Sequence, residues 1–486
     1  MKKLTLGFIL MLFVASLVSC TKKEYITIAP EVEIDKSTYT IMMYGCGGEN
    51  LDPCMVLNIQ EALLAGATDR VNFVGQIKFS KKYQTEETLA GTQRFIVGEA
   101  GKLWYEPVDV LDSNLALYDP QNLTNFINWA KEQRPADKYI LLLWNHGGAW
   151  SPYDDYYSQE SRAVVYDDIL KKKGLSLNNL VKGIKDSGIK FQMIYYDACL
   201  MGMVEVLSGL NDCTEYTMCA SHITPGMGGD YNSLIYHLNN STNFEDAMVA
   251  YIRETVAHWD IQGLPLDLML VNNSKMDALL SEIKLLSSYM KEVAQIYNDY
   301  QDGKYSEDDA NIINLCSTYE KAICICYHYD SQIFAEGMAA FPFYDIHTFV
   351  EVLANGSMST YSAKFVDISS RLNRALSNAI IYKQITSPLV AEGLDLSMGI
   401  TVIDAEYWKI FGYKEAYDNL VFQQKTGWGD WLEINSVRPT DNPNPDTIMQ
   451  DNSDAPEQPE QPEQPEQPEP TDKEWIDYIL SIIGKN

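Results

Sequence analysis

Apolar segments that predict strands alternate with amphipathic segments that predict helices along the first half of the chain. Strands are predicted over the apolar and β-branched runs 39–44, 71–79, 139–144, 191–196 and 216–220. Helices are predicted where apolar residues recur at three- and four-residue spacing, at 55–65, 120–132 and from Ser176 onward. This alternation predicts an α/β fold with a doubly wound, mostly parallel sheet and helices on both faces.

The pattern changes after residue 240. Residues 240–383 are mainly helical in pattern, and an apolar run over 396–403 predicts one more strand. We therefore expect an α/β core over 38–240 and a mainly helical remainder over 241–441. Residues 200–210 are predicted to form a helix that begins directly after Cys199, and the dipole of such a helix would favour the ionised thiolate of that cysteine.

The N-terminus has the pattern of a signal peptide. Residues 1–19 begin with two lysines and continue in an apolar run, so they are excluded from the fold. The run ends in Leu-Val-Ser-Cys, the pattern of a bacterial lipobox, which makes Cys20 the predicted lipidation site and 20–37 a tether. An ordinary signal peptide with an incidental Cys20 is the alternative. No later segment reaches the roughly 20 apolar residues that span a bilayer, so a membrane anchor is expected rather than a transmembrane helix.

The C-terminal region predicts a linker followed by a short helix. Residues 442–470 contain Pro-Glu-Gln repeats, which cannot form a core and predict a disordered, extended linker. Residues 471–486 combine a capping-box pattern with apolar positions at helical spacing, which predicts a short amphipathic helix. The body of the protein, a partner and the membrane all remain open as its docking surface.

Composition excludes some function classes. With 486 residues and 46% hydrophobic content, the chain can bury a large core. Its formal net charge of −30 repels phosphate backbones, which argues against nucleic-acid binding and favours basic partners or peptides. A general adaptation to solubility explains the same charge.

Two predicted strands end at chemically reactive side chains. The strand 139–144 runs into Asn-His-Gly-Gly at 145–148, and the strand 191–196 runs into Asp-Ala-Cys at 197–199. Because the carboxyl ends of neighbouring parallel strands converge on one crevice, His146 and Cys199 can meet there as base and nucleophile. A buried structural cysteine and a hydrogen-bonded structural histidine are the alternatives.

The other cysteines predict neither a disulfide framework nor a metal site. With Cys20 and Cys199 assigned, seven of the nine cysteines remain, so at least one further thiol is expected to be free. Cys46 with Cys54, and Cys324 with Cys326, are candidate pairs. No histidine lies near a cysteine pair at zinc-ligand spacing, and no structural zinc is expected.

The segments 145–148, 197–201 and 221–231 together resemble the clostripain family of cysteine peptidases, which belongs to the caspase-like clan. The resemblance covers roughly residues 38–402, including the glycine-rich 45–51 and the pair Asp167-Asp168. It implies a caspase-like fold and an endopeptidase that acts on proteins or peptides. No cofactor is implied as a requirement, although calcium raises activity in some relatives. No EF-hand loop occurs, and no metal ligand is assigned.

The resemblance also implies roles for individual residues. Cys199 is the implied nucleophile and His146 its base, with the backbone N–H groups of Gly147 and Cys199 forming the oxyanion hole. Asp197 is implied to bind an arginine or lysine at P1, and Asp230 is a second acidic candidate. The loop departs from the family pattern at positions 227 and 229, where acidic or aromatic residues are expected in place of Met227 and Gly229.

The family resemblance and the N-terminal pattern also predict proteolytic processing and a cellular location. Family members are activated by cleavage between the His and Cys strands, where the candidate self-cleavage sites are Arg162, Lys171, Lys172 and Lys173. The expected location is the bacterial envelope, lipid-anchored outside the cytoplasm. The competing function is a surface lipoprotein that keeps the fold as a binding module, but such proteins normally lose the histidine or the cysteine. An esterase is disfavoured because no Gly-x-Ser-x-Gly elbow occurs.

Overall fold

The computed structural model describes residues 39–48, 50–150, 164–167, 169–170, 173–306, 308–325, 343–356, 362–391, 397–410 and 412–438. Several predicted features lie outside these residues: the signal peptide, the tether with Cys20, the linker, the C-terminal helix, Asp168, Cys326 and the candidate cleavage sites Arg162, Lys171 and Lys172. The fourth candidate, Lys173, is the first residue of a strand.

The strands of the described residues are β1 (Tyr39–Cys46), β2 (Val71–Lys78), β3 (Thr92–Ile96), β4 (Asp109–Leu111), β5 (Lys138–Trp144), β6 (Val164–Asp167), β7 (Lys173–Leu175), β8 (Phe191–Asp197), β9 (Thr214–Cys219), β10 (Asp267–Asn272), β11 (Phe343–Asp345), β12 (Ile380–Ile385) and β13 (Gly399–Thr401). The helices are α1 (Asp52–Ala65), α2 (Pro120–Gln133), α3 (Leu177–Ser187), α4 (Val204–Leu207), α5 (Tyr231–Asn240), α6 (Phe244–Ile261), α7 (Met276–Gln301), α8 (Ala310–Ile325), α9 (Ile346–Gly356), α10 (Ser362–Ala379), α11 (Ser387–Ala391), α12 (Ala405–Ile410), α13 (Tyr413–Asp418), α14 (Val421–Thr426) and α15 (Trp428–Leu432).

A nine-stranded sheet in the order β12-β10-β9-β8-β5-β1-β2-β3-β4 forms the centre of the fold. Its five inner strands β2, β1, β5, β8 and β9 are parallel, whereas β3 with β4 at one edge and β10 with β12 at the other are antiparallel. The chain builds outward from β1 in both directions, so the strand order reverses between β1 and β5. Such a switch point opens a crevice at the carboxyl ends of the strands. The predicted doubly wound, mostly parallel sheet is confirmed.

Apolar residues cover both faces of the inner strands. Along β1, Ile41 and Met43 pack in a cluster with α1, α5 and α6, while Met42 and Tyr44 pack in a second cluster with α2 and α3. Strands buried on both sides carry nearly continuous apolar runs, and this is why the sequence pattern located them well. The second cluster continues into the later helices, starting with α7.

The predicted helix over 200–210 is wrong. Leu200 has a φ of +61°, and only the four residues of α4 are helical. The intervening backbone is bonded laterally, since the Leu200 N–H donates to His222 O (3.1 Å) and the Gly202 N–H to Ala220 O (2.7 Å). A helix N-terminus therefore does not lie at Cys199, and the helix dipole expected to favour its thiolate is absent there.

Candidate active site

The strands that lead into His146 and Cys199, β5 and β8, are neighbours whose carboxyl ends lie side by side. Trp144 of β5 is paired with Asp197 of β8, and the next N–H, that of Asn145, donates to Asp197 O at 3.4 Å. Gly147 then lies directly against the next turn of chain, because a Cβ at this position would overlap the backbone carbonyl of Cys199. The structure thus brings together the two segments that carry the predicted base and nucleophile, and the close contact requires glycine after His146.

Asn145 fastens this strand end to its neighbours. Its side chain is almost fully buried, with Nδ2 donating to Cys46 O (2.7 Å) and Oδ1 accepting from Tyr166 N (2.6 Å). The amide therefore joins the ends of β1 and β5 to the first strand of the β6–β7 hairpin. An isolated bridge between Gly147 and Val164 reinforces this contact. No separate signal in the sequence pattern indicated this role of Asn145.

A buried ion pair holds the same hairpin. Lys78 Nζ donates to Asp167 Oδ2 at 2.7 Å and to Leu115 O at 3.2 Å, and both charged side chains are fully buried. Removing one member of such a pair leaves the other charge buried without its partner, in a medium that solvates it poorly. Lys78 lies at the end of β2 and Asp167 at the end of β6, so the pair ties the hairpin to the main sheet.

Lys78→Met should lower the free energy of unfolding by about 3–5 kcal/mol, because the Asp167 carboxylate would lose its only cationic partner in the ion pair. Chemical denaturation followed by tryptophan fluorescence measures this change. Lys182→Met is the matched control, since the Lys182–Asp186 pair is largely exposed and its loss should cost under about 1 kcal/mol. Equal, small changes in both variants would contradict the prediction.

His146 contacts the turn that follows β1. Its Nε2 lies 2.8 Å from Asn50 Oδ1. An amide oxygen only accepts hydrogen bonds, so this contact places a proton on Nε2 and makes Nδ1 the basic nitrogen of the neutral ring. Asn50 was part of the glycine-rich segment noted in the sequence, but its contact with the histidine was not predicted.

Cys199 is half-buried, and its sulfur faces the loop 221–231. Thr224 N donates to Sγ at 3.3 Å, and Thr224 Oγ1 lies 3.5 Å from Sγ. This loop is one of the segments that resemble the family, but nothing in its local sequence pattern shows which loop residue reaches the sulfur.

Asp197 lies beneath the glycine-rich part of the loop. Its Oδ2 accepts hydrogen bonds from Gly229 N (3.1 Å) and Tyr231 OH (2.7 Å), and the side chain is buried. Burial raises the pKa of Asp197 to about 6, although both hydrogen bonds oppose that rise. A Cβ on Gly228 would overlap this carboxylate, so the loop can cover Asp197 closely only with glycine at that position.

The structure explains the departure of the loop from the family pattern at position 229. A Cβ on Gly229 would overlap the hydroxyl groups of Tyr195 and Tyr251, which leaves no room for an acidic or aromatic side chain. Met227 packs instead against the core cluster of α1, α5 and α6. The unexpected residues therefore follow from how the loop is packed.

Asn58 of α1 holds the loop from the other side. This fully buried amide donates to Met227 O (2.9 Å) and Gly229 O (3.0 Å), and it accepts from Trp144 Nε1 at 2.9 Å. Trp259 Nε1 donates to the carbonyl between them, Gly228 O, at 2.9 Å. The loop is thereby fixed relative to β5, two residues before His146. Asn58 is about 170 positions from the loop in the sequence, and no local pattern identifies it.

Two further carboxylates lie near Asp197. Glu61 of α1 accepts from Asn58 Nδ2 and Tyr231 N, both at 3.1 Å. Burial raises the pKa of Glu61 to about 7, and the negative charges of Asp230 and Asp197 add to the rise. Asp230 is exposed and caps α5, with Oδ1 accepting from the N–H groups of Asn232 and Ser233. Glu61 was not predicted from the sequence.

Other structural observations concern metals, disulfides and membranes. Among the described residues, no three His, Cys, Asp or Glu side chains are placed to hold a metal ion. No disulfide joins the cysteines of this part of the chain, so the candidate pair Cys46–Cys54 is not formed. No helix in the described ranges has both the length and the apolar character needed to cross a membrane.

Comparison with known proteins identifies the chain as a hydrolase of the cysteine peptidase class. The model of the clostripain family matches residues 98–434, which is more than half of the chain. The chain belongs to the clostripain family, and the resemblance seen in the sequence is confirmed. The matched region starts later than residue 38 and extends beyond residue 402, the limits drawn from the motifs.

Individual relatives agree with this assignment. Clostripain from Hathewaya histolytica is 23% identical over 403 residues, covering 74% of each chain. A secreted C11 cysteine protease from Bacteroides thetaiotaomicron, solved with an irreversible peptide inhibitor, superposes with a TM-score of 0.56 at 14% identity over 81% of this chain and 99% of that one. An inactive zymogen C11 protease from Parabacteroides distasonis gives 0.53 at 17% identity with the same coverage. The structural relatives confirm the caspase-like fold.

Proposed function

We propose that this cysteine peptidase is an endopeptidase that hydrolyses peptide bonds through Cys199 and His146, with arginine or lysine at P1. The observation that carries the proposal is the contact of Gly147 with the Cys199 backbone at two strand ends of equal height. This packing supports a dyad at the switch point of the sheet, where ligands bind in α/β folds. Family membership supports the reaction class.

The proposed reaction proceeds in two steps. The Cys199 thiolate attacks the scissile carbonyl carbon, and the oxyanion is held by the N–H groups of Gly147 and Cys199. The C–N bond then breaks as protonated His146 gives its proton to the leaving amine, leaving a thioester. In the second step His146 takes a proton from water, and the water oxygen attacks the thioester carbonyl carbon. The C–S bond then breaks, which releases the acid product and restores the Cys199 thiolate beside protonated His146.

A peptidyl acyloxymethyl ketone with arginine at P1 tests this proposal directly. It should alkylate the protein at a single site, and peptide mapping by mass spectrometry should locate the label on Cys199. Prior S-methylation of the protein should block the label. Absence of labelling at Cys199 in protein that is folded and nicked between residues 150 and 175, with calcium added, would favour the binding-module alternative.

Selection for a basic P1 residue is proposed to rest on Asp197, assisted by Asp230. The hydrogen bonds that Asp197 accepts from Gly229 N and Tyr231 OH come from neutral donors, so a substrate cation would supply the opposite charge to this carboxylate. Glu61 lies close enough to raise the local negative potential. Buried carboxylates paired with guanidinium or ammonium groups give strong, charge-assisted hydrogen bonds.

The preference for basic P1 residues should weaken in acid. Asp197, with its pKa raised to about 6, is charged above that pH and neutral below it, so the ratio of kcat/KM for arginine to that for norleucine should fall about tenfold from pH 7.5 to 5. Using a ratio cancels the ionisation of the dyad, which both substrates share. A ratio that stays constant over this range would contradict the proposed role of Asp197, and Asp197→Asn should give a constant ratio as the control.

Location and processing are proposed on the sequence patterns. Cys20 is proposed as a lipidated residue that anchors the enzyme to the bacterial envelope outside the cytoplasm. Detergent phase partitioning of wild-type and Cys20→Ser protein tests this.

Cleavage at Arg162, Lys171, Lys172 or Lys173 is proposed to activate the enzyme, and full activity of an intact single chain would argue against it. Calcium is proposed to raise the activity, by resemblance to the family alone.

A further inference from the structure

Thr224 presents two groups that can donate hydrogen bonds to the sulfur of Cys199, and its carbonyl oxygen lies 3.9 Å from Sγ, where it accepts from the neutral thiol. The Thr224 main-chain N–H donates to Sγ at 3.3 Å, and the hydroxyl oxygen of the same residue lies 3.5 Å from Sγ. Both lengths suit sulfur, which forms longer hydrogen bonds than oxygen. A hydroxyl beside a thiolate can act only as the donor, since the thiolate has no proton to give.

Backbone hydrogen bonds of Ser221, His222 and Leu200 hold the loop that carries Thr224 against the segment that carries Cys199. The Asp267 carboxylate of β10 accepts from Ser221 N at 2.8 Å and from His222 N at 2.7 Å, and Asp267 is almost fully buried. The carbonyl of His222 accepts the Leu200 N–H, one residue after the nucleophile. The loop and the nucleophile segment are therefore bonded to each other at Leu200, which follows Cys199, and at His222, two residues before Thr224.

The residue that follows also restricts Thr224. Pro225 disfavours the helical conformation at the position before it, which restricts the backbone conformations open to Thr224. Its carbonyl accepts the Gly228 N–H at 2.8 Å and closes the turn that leads to the glycines over Asp197. A preorganised donor of this kind costs no rearrangement when negative charge forms on the sulfur.

A thiolate needs such donors here because the nearest downstream helix, α4, starts only at Val204. Hydrogen bonds donated to an ionised group favour the ionised form, so both Thr224 groups stabilise the thiolate relative to the thiol. The thiolate is the reactive form of cysteine.

We propose that Thr224 is a catalytic residue that stabilises the Cys199 thiolate through its main-chain N–H and its hydroxyl group. The inference rests on the proposed role of Cys199 as nucleophile. It extends that role by assigning the loop 221–231 a part in activating the sulfur in addition to enclosing the substrate.

The test compares wild-type protein with Thr224→Val, which removes the hydroxyl at nearly constant volume, and Thr224→Ser, which retains it. The rate of alkylation of Cys199 by iodoacetamide is measured against pH, with the Cys199 peptide quantified by mass spectrometry. For Thr224→Val the midpoint should move to higher pH by about one unit and kcat/KM should fall roughly tenfold with little change in KM. Thr224→Ser should remain close to wild type in both measurements.

The other ionisable groups near the sulfur are constant across these variants. On the segments that carry Cys199 and Thr224 and on the neighbouring strand ends, they are His146 after β5, Asp197 at the end of β8, His222 in the loop and Asp267, which accepts from His222 N. A thermal unfolding curve shows whether each variant folds, and Thr224→Ala replaces the valine variant if that one does not. The midpoint shift therefore reports on the hydroxyl group itself.

The outcomes separate this inference from the proposed function. An unchanged alkylation profile and unchanged turnover in a folded Thr224→Val protein would overturn the role of the Thr224 hydroxyl group, since this variant keeps the main-chain N–H, and would leave the dyad intact. Turnover that survives Cys199→Ala would overturn the proposed function itself, and with it the reason for stabilising this sulfur.

Discussion

Cys199→Ala should reduce peptide hydrolysis by about four orders of magnitude or more while leaving the protein folded. Removing the nucleophile abolishes the thioester route, and what remains is only the modest help of binding and of the oxyanion hole. Turnover of fluorogenic peptides with Arg, Lys, Ala or Asp at P1 measures the loss.

The chain offers a matched control for this experiment. Cys213 is buried just before β9, at the end of the sheet opposite His146, and Cys213→Ala should leave kcat/KM within a few-fold of wild type. His146→Ala should lose activity on a scale similar to Cys199→Ala, whereas His237→Ala should not, because His237 pairs with Glu254 on the surface of the fold. Equal activity in Cys199→Ala and Cys213→Ala would rule out the proposed nucleophile.

Asp197→Asn should lower kcat/KM for substrates with arginine at P1 by about two to three orders of magnitude. Binding a substrate cation without its carboxylate leaves a charge buried and poorly paired, which costs several kcal/mol. Asparagine keeps an oxygen that can accept from Gly229 N and Tyr231 OH, so the loop should stay in place. A substrate with norleucine at P1 should lose less than about tenfold.

Two comparisons make the Asp197 result specific. Asp186→Asn, an exposed carboxylate that pairs with Lys182 on α3, controls for the general loss of one negative charge from an acidic protein. Asp230→Asn addresses the second acidic candidate, whose carboxylate caps α5 in the structure. An unchanged ratio of arginine to norleucine turnover in Asp197→Asn would refute an acidic pocket at Asp197 and leave the dyad unaffected.

The parts of the fold that the sequence predicted best are those whose burial is uniform. The inner strands β1, β5 and β8 were placed within two residues because each is an apolar run covered on both faces. The outer strands β3, β4, β10 and β12 were missed. β3 and β4 are short and β12 is only partly buried, while β10 and β12 pair with each other across a long stretch of chain that is mainly helical in pattern. β12 also follows α10 without a break, and this hides the change of element from a periodicity analysis.

Some residues of the candidate site could be predicted from the sequence and others could not. His146 and Cys199 could be predicted because each follows its own strand directly, and parallel strands place such residues at one edge. Asn58 and Thr224 could not, because their roles depend on contacts made only after the loop 221–231 has folded against α1 and the sulfur. The predicted helix at 200–210 had suitable apolar spacing, but lateral hydrogen bonds to the loop outweighed it.

The direct pairing of β5 with β8 has a consequence for a chain cut between them. His146 and Cys199 would then belong to separate polypeptides, yet the two strands would still be neighbours in the middle of one sheet. The products of such a cut could part only by breaking the sheet through its centre and exposing both core clusters to water. A nicked enzyme should therefore migrate as two bands on a denaturing gel and as a single particle in solution, with activity that does not fall on dilution.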